Sequence, residues 1–427
     1  GSRIIDVKRS KRKILIPFWG TQNHSQPGIP SLEMEPGPHA WIYSKPKGWG
    51  GSKYQEILDN ETRVAVIPAT VKQFISAGFS VKIESNAGVS SQISDSDFEE
   101  AGAEIVGSAS EVFDQSDMIL KVNSPTNEEI QMIKNGSSYL SFFQTMKETN
   151  KVKALQSKNI TAYSMHLIPR TTLAQKMDAL SSQTNIAGYK AVLIASCHIE
   201  KYMPLLMTAA GTIPPAKVLV LGAGVAGLSA IATAKRLGAQ VEASDVRPEV
   251  KEQVQSLGAK FLEIESNSDD GVGEGGYAKE TSEEYKKKQA ELLNKRIAAS
   301  DIVITTALIP GRPAPILISD QMVKSMKPGS VIMDLAAENG GNCSLTEPDQ
   351  VVNIGGVIID GTINLAGTMS VHASQLYAKN VSAFILHGYD KDKKEFNLED
   401  EIVSGSMFAH NGQIVDDRTK KAIEGSN

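Results

Sequence analysis

The stretch KVLVLGAGVAGLSAIATAKRLGAQVEASD, residues 217–245, decides how the rest of the chain is read. It opens on the apolar run Val-Leu-Val-Leu, as expected of a strand covered on both faces. GAGVAG, from Gly222 to Gly227, ends that strand and opens the helical pattern VAGLSAIATAKRLG, which closes at Gly238. A second strand pattern, QVEASD, ends in Asp245, 23 residues after Gly222. Alone, G-x-G-x-x-G is a weak signal. Between a strand and a helix, with an acidic residue about 20 positions on, it is specific for dinucleotide binding.

Each part has a physical task. Gly222 permits the tight turn, Gly224 lets backbone approach a pyrophosphate, and Gly227 lets helix and strand pack closely. The helix N-terminus, through Val225 and Ala226, offers free N–H groups and a positive dipole end to phosphates. Asp245 is placed to accept hydrogen bonds from an adenosine ribose. A carboxylate there repels a 2′-phosphate and favours NAD(H), although Arg247 nearby is a group that accepts such a phosphate, stacks on adenine or pairs with a carboxylate. The alternative is a tight strand–helix turn with no ligand.

Upstream, PRTTLAQKMDALSSQTNIAGYKAV (169–192) carries helical periodicity. Arg170, Gln175, Asp178 and Ser181 are expected to share one helical face, with Leu173, Met177 and Leu180 on another. The polar row is either a solvated surface or a face turned toward a ligand.

Outward from these two stretches the pattern alternates. ETRVAVIP (61–68) offers a strand or strand end, ATVKQFISAGF a helix closed by Gly78, and SVKIES, MILKV, SYLSFF and TAYSM short strands separated by helical segments. KVLVLG, QVEASD, AKFLEI, DIVITT, SVIMDL and GVIIDG continue the series. The fold class is α/β: two Rossmann-like, doubly wound parallel-sheet domains joined by long helices. The first domain is expected over 1–180, with an irregular lead-in over 1–60 holding strand candidates KILIPF and AWIY. The second is expected over 181–364. LAGTMSVHASQLYAKNVSAFILHG (365–388) reads as a helix crossing back, so that 365–427 completes the first domain, with Asn411-Gly412 as a hairpin turn. Residues 266–293 read as a glycine-rich stretch around GVGEGG and then a charged helix, the segment being either a surface loop or a mobile lid tipped by Tyr277 and hinged at Gly275 and Gly276.

The bulk properties are those of an ordinary globular protein. The 427 residues suffice for two or three domains and are 41% hydrophobic and 22% charged. A net charge of -5 gives no reason to expect nucleic acid, and the basic run KRSKRK (8–13) reads as a solvated tether. Two cysteines, Cys197 and Cys343, form no metal-ligand or disulfide pattern. Cys197 is read as a buried thiol. His166, His198, His372 and His387 show no metal-ligand spacing, and no metal site is expected. No run of about 18 apolar residues exists, so no membrane-spanning helix is expected. The opening Gly1-Ser2 resembles an expression scar, so the native N-terminus and any targeting peptide are expected to be missing from this sequence.

The pieces ETRVAVIPATV, PRTTLAQKMDALSSQTNIAGYKAV, VLVLGAGVAGLSAIATAKRLGAQVEASDVR, GEGGYAKE, ITTALIPGRPAP and MDLAAENGGN together resemble the NAD(H)-binding first domain of proton-translocating nicotinamide nucleotide transhydrogenase, a relative of alanine dehydrogenase. The resemblance covers roughly residues 61–427. It implies NAD(P)+ transhydrogenase activity of the Re/Si-specific type, with NAD(H) bound here and NADP(H) on a separate partner domain. Hydride passes directly between the two nicotinamides, and a membrane domain moves protons. It also implies a homodimer, for which the C-terminal hairpin pattern is loose support. It places the domain at the surface of an energy-transducing membrane, the mitochondrial inner membrane or a bacterial-type plasma membrane, facing matrix or cytoplasm. By resemblance, Arg170, Gln175, Asp178 and Ser181 stand at the nicotinamide end. Asp245, Val246 and Arg247 match the adenosine-ribose segment, Gly276 and Tyr277 the mobile loop, and Thr306, Ala307 and Leu308 a strand end under the dinucleotide.

Alanine dehydrogenase is the rival, and a NAD(H)-sensing module without turnover is a third reading. The dehydrogenases use a Lys after the strand corresponding to MILKV and a His after the one corresponding to SYLSFF. Here those positions hold Asn123 and Gln144. Neither serves as an acid or base at neutral pH. Arg63 resembles a substrate-carboxylate anchor.

Overall fold

The computed structural model describes residues 39–42, 61–263, 283–309, 312–390, 392–393 and 395–425. All lie in one compact unit, Gly37–Asn427. KILIPF and the lid residues Gly276 and Tyr277 lie outside the described residues.

Two sheets organise the described chain. The first contains β1 (His39–Ile42), β2 (Ser80–Glu84), β3 (Glu104–Val106), β4 (Met118–Leu120), β5 (Ser138–Ser141) and β6 (Thr161–Ser164), all parallel in the order β3-β2-β1-β4-β5-β6. After a small hairpin of β7 (Leu206–Thr208) and β8 (Gly211–Ile213), the second sheet uses β9 (Lys217–Leu221), β10 (Gln240–Ser244), β11 (Lys260–Phe261), β12 (Ile302–Thr305), β13 (Val331–Asp334), β14 (Val351–Ile354) and β15 (Val357–Asp360). Its order is β11-β10-β9-β12-β13-β15-β14, with only the edge strand β14 antiparallel. Both sheets thus carry the 3-2-1-4-5-6 order of a doubly wound fold, whose ligand crevice lies where the order reverses. In the second sheet that point is between β9 and β12.

The apolar runs follow from coverage on both faces. In the second sheet Val218, Val220, Ile302 and Ile304 pack on one side with Ala191, Ala195, Ala230 and Ala234. Leu219, Leu221 and Val303 pack on the other with Ile297 and Val323. In the first, Ile83, Leu120, Leu140 and Tyr163 meet Tyr377 and Phe384, while Ile119, Tyr139 and Ala162 meet Phe113, Val152 and Phe408.

The helix Ser370–Gly388 returns the chain to the first sheet. After a two-stranded ribbon of β16 (Tyr389–Asp390) and β17 (Glu395–Phe396), β18 (Met407–His410) pairs antiparallel with β6 and with β19 (Gln413–Ile414). Asn411 and Gly412 sit at φ 47° and 69°, as a two-residue primed turn requires. This hairpin is built into the first sheet and is not a free arm. No helix among the described residues is long and apolar enough to cross a membrane.

Three expectations change. Glu61–Ile67 is a buried irregular segment, not a strand. Cys197 is exposed, not buried. Pro169–Val192 is not one helix: a 3-10 turn spans Leu173–Met177, the chain breaks at Asp178 (φ -73°, ψ 83°), and the α-helix runs from Ala179 to His198. Asp178 is the N-cap, accepting from the Ser181 amide at 2.9 Å and the Ser181 hydroxyl at 2.5 Å. A capping aspartate outside the helix satisfies orphan N–H groups that a continuous helix would not have. The four polar residues therefore do not form a single helical row.

Candidate functional site

The crevice at the switch point is floored by the Gly222–Gly227 turn. Gly222 has φ +101°, and a Cβ there would stand 2.5 Å from Thr306 Oγ1. At Gly227 a Cβ would stand 1.9 Å from the Gly222 carbonyl oxygen, so backbone alone fits. Gly224 differs, because a Cβ there meets nothing nearer than Arg247 Nη2 at 3.8 Å. It is the N-cap of Val225–Arg236 and has no side-chain capping bond. The result is a helix N-terminus with open space over its donors, the geometry that receives an anion. The cradle fits a dinucleotide pyrophosphate. Val225 is partly exposed at its rim.

Asp245, at the end of β10, is bound to this turn. Its Oδ2 accepts from the Ala223 amide at 2.6 Å, and its Oδ1 from the Arg247 amide at 2.9 Å. The Arg247 guanidinium adds two bonds at 3.0 Å. Burial pushes the Asp245 carboxyl upward, but the bonds from Arg247 and Ala223 outweigh it and hold the group below the ordinary carboxylate range. Of the roles open to Arg247, this structure displays pairing with the carboxylate. Val246 between them is 89% exposed, an apolar surface beside the crevice.

The opposite wall is the end of β12. Thr306 Oγ1 donates to the Gly222 carbonyl at 3.0 Å. Ala307 is held on both backbone groups by the buried Asn342 side chain, whose Oδ1 accepts from its amide at 3.0 Å and whose Nδ2 donates to its carbonyl at 2.9 Å. Leu308 is half exposed. Asn342 in turn rests on Asp334, which is fully buried and accepts from Thr305, Ala336, Asn342, Cys343 and Thr346. The wall is thus stiffened from behind by a satisfied polar network.

Arg170 and Gln175 are exposed, with no side-chain hydrogen bond to another described residue. Asp178 and Ser181 are half buried and bonded to each other. The 3-10 turn that carries Gln175 is anchored by Asn380 Nδ2, which donates to the Lys176 carbonyl at 2.8 Å.

Behind this segment lies a buried polar cluster centred on Arg63. Its Nε and Nη2 donate to Glu61 at 2.8 and 2.6 Å, and its Nη1 donates to Gln183 Oε1 at 2.9 Å. Asn123 Nδ2 donates to the same Glu61 carboxylate at 2.9 Å. Burial raises the Glu61 carboxyl, but the Arg63 charge and hydrogen bonds prevail and hold it low. Gln144 is exposed to solvent, and its neighbour Lys147 reaches Asn339 of the second sheet's loops at 2.5 Å. His166 accepts from the Phe143 amide at 3.1 Å, and burial lowers its pKa to about 4.

The sequence over 54–187 matches the family described as Alanine dehydrogenase/PNT, N-terminal domain, and that over 191–417 its C-terminal domain. The chain belongs to the alanine dehydrogenase/PNT family. Within this family it is 46% identical over 364 residues to the NAD(P) transhydrogenase subunit alpha of Haemophilus influenzae, covering 84% of this chain and 70% of that one. It is 29% identical to the alanine dehydrogenase of Methanococcus maripaludis, over 86% of this chain and 95% of that one. The crystal structure of transhydrogenase from Sinorhizobium meliloti superposes with a TM-score of 0.78 at 44% identity, over 88% of this chain and 99% of that chain.

Some contacts around this crevice escape a linear reading. Gln183 and Glu61 are ordinary polar residues in sequence, and only their meeting at Arg63 sets them apart. Gly188 sits unremarked inside a helix, yet a Cβ on it would stand 2.0 Å from the Ala226 carbonyl oxygen. The one available signal was a glycine in a helix interior, which costs about 1 kcal/mol and so asks for a packing reason.

Proposed function

We propose that this chain is the NAD(H)-binding component of a proton-translocating NAD(P)+ transhydrogenase. On this reading it passes hydride to NADP held by a partner domain, while a membrane domain couples the exchange to proton movement. One observation carries it: the glycine-rich cradle and its acidic partner Asp245 are in place, while the two positions at which the resembling dehydrogenases carry acid–base groups hold Asn123 and Gln144. Asn123 spends its amide on Glu61. Bound NAD(H) supplies the hydride, and exchange between two nicotinamides needs alignment, not a general base.

The chain's own residues would divide that work. The free N–H groups at Gly224, Val225 and Ala226 receive the pyrophosphate between Gly222 and Gly227. Asp245 receives the adenosine ribose, with Arg247 moving aside or sharing the carboxylate and Val246 covering the base. Thr306, Ala307 and Leu308 support the dinucleotide from beneath. Arg170, Gln175, Asp178 and Ser181 orient the nicotinamide end, Arg170 and Gln175 exposed ahead of the helix and Asp178 and Ser181 paired at its start. Gly276 and Tyr277, outside the described residues, are assigned to the same site by the family resemblance. The domain division is 1–180 with 365–427 for the first unit and 181–364 for the NAD(H)-binding unit.

The reading extends to the homodimer and to a location at the matrix or cytoplasmic face of an energy-transducing membrane. The β7–β8 hairpin supports the dimer, since Leu205, Met207 and Ile213 are 54%, 74% and 43% exposed. The deciding experiment mixes the chain with a purified NADP(H)-binding partner domain, NADH and an NADP analogue. Reduction of the analogue at the expense of NADH is expected, and no transfer in the presence of demonstrated NADH binding would remove the proposal.

A further inference from the structure

The helix Ala179–His198 touches both halves of the proposed site. Its N-cap is Asp178. Ten residues on, about 15 Å along the axis, Gly188 lies against the glycine-rich turn. A Cβ at Gly188 would stand 2.0, 2.8 and 3.0 Å from the O, C and Cα of Ala226. These are backbone atoms of the helix that opens the phosphate cradle, so no rotamer change relieves the overlap. Nearby, Ser229 Oγ donates to the Asn185 carbonyl at 2.7 Å and fixes the same two helices in register.

The N-terminal part of the same helix is fixed to the first sheet's domain. Gln183 accepts from Arg63 at 2.9 Å and donates to the Ala373 carbonyl at 3.0 Å. The helix is therefore clamped to the first unit near Asp178 and to the phosphate turn at Gly188.

We propose that Gly188 is a positioning residue for hydride transfer: by letting the two helices meet backbone to backbone, it sets the distance between the phosphate cradle and the Arg170–Ser181 segment. This rests on the reading of that segment as the nicotinamide end. A methyl at 188 forces the helices apart on the order of an ångström, because carbon atoms settle at roughly 3.5–4.0 Å. A displacement of that size at a reacting centre can cost about a hundredfold in rate. Gly222 follows β9 and Asp245 follows its neighbour β10, and the Asp245 carboxylate holds the Ala223 amide of the turn, so the adenosine half of the site shifts as one body and is spared.

The test compares the full wild-type chain with Gly188→Ala, each reconstituted with the NADP(H)-binding partner domain. Three quantities are read: stopped-flow hydride transfer, affinity for ADP-ribose, which lacks nicotinamide, and melting temperature. The expected result is transfer slowed at least tenfold with ADP-ribose affinity within about threefold of wild type. A transfer rate equal to wild type overturns the proposal, as does loss of ADP-ribose affinity in parallel with transfer, the mark of a merely structural glycine. If Gly188→Ala does not fold, Ser229→Ala carries the test: transfer slowed about threefold or more at unchanged ADP-ribose affinity supports the role, and an unchanged rate overturns it. Failure of the wild-type chain to transfer hydride removes the underlying function instead, so the two failures are distinguishable.

Discussion

The Arg247 guanidinium donates to both oxygens of the Asp245 carboxylate, Nε to Oδ1 and Nη2 to Oδ2, at 3.0 Å each. The pair sits at the end of β10, where a ribose would lie, and the carboxylate is also tied to the Ala223 amide of the glycine-rich turn. A 2′-phosphate entering here meets a fixed negative charge whose countercharge is already engaged. NADH is therefore expected to bind about tenfold or more tightly than NADPH, an order-of-magnitude figure for one unfavourable charge contact. Fluorescence titration with both nucleotides checks this, and equal affinities would shift the assignment to Arg247. Because the Asp245 pKa is depressed, the carboxylate stays ionised as pH falls through the ordinary carboxylate range. Its contribution to NADH binding should persist until the depressed value is reached.

Asn123 and Gln144 predict a missing activity. With no lysine or histidine at these positions, and with Arg63 charge-paired to Glu61 at 2.6 Å, the chain should not form NADH from L-alanine and NAD, even at alkaline pH and high alanine. Robust turnover in a spectrophotometric assay would favour a dehydrogenase.

Gln175→Asn and Asp178→Asn should separate alignment from affinity. Asparagine is nearly as good an N-cap as aspartate, so the helix Ala179–His198 keeps its start. NADH affinity should stay within a few-fold, because the cradle and Asp245 are elsewhere. Hydride transfer should slow roughly tenfold or more. Unchanged transfer rates in both variants would leave the segment as ordinary solvated chain.

The Glu61–Arg63 pair predicts a stability effect. Both side chains are 8% exposed. Glu61→Gln leaves a buried guanidinium without that countercharge, which should destabilise the fold by about 3–5 kcal/mol in denaturant melts. The folded Glu61 pKa lies below the unfolded one, so its stabilisation is complete above the ordinary carboxyl pKa of 4.5 and is lost as pH falls through the depressed value. The Gln variant should show a weaker acid dependence than wild type, and equal acid dependence would place the coupling elsewhere.

Light scattering tests the proposed dimer. A mass near twice 45.9 kDa is expected. Met207→Asp on the exposed β7–β8 hairpin should shift the population toward single chains, and an unaltered mass distribution would move the interface to another surface.

The nucleotide turn was legible in sequence because its determinants are local. A buried strand, three glycines, a helix and an acidic residue at a set spacing each follow from backbone geometry within about thirty residues. The apolar runs of both sheets were legible for the same reason, since coverage on two faces removes the polar alternation. Other features needed the tertiary structure. A 3-10 turn followed by an α-helix keeps apolar residues at spacings of three and four, so the break at Asp178 leaves the periodicity of 169–192 intact. β14, the antiparallel edge strand at Val351–Ile354, has one face exposed and no marked apolar run. The exposed arm at 205–213 looks like any short apolar stretch until nothing in the described fold covers it. Above all, the partnership of Glu61, Arg63, Asn123 and Gln183, and the contact of Gly188 with Ala226, join residues far apart in the chain. Sequence alone determined the nucleotide turn and the apolar strands that flank it; the packing of the long helix decided which side chains meet, because that geometry is set by long-range burial and not by any local preference.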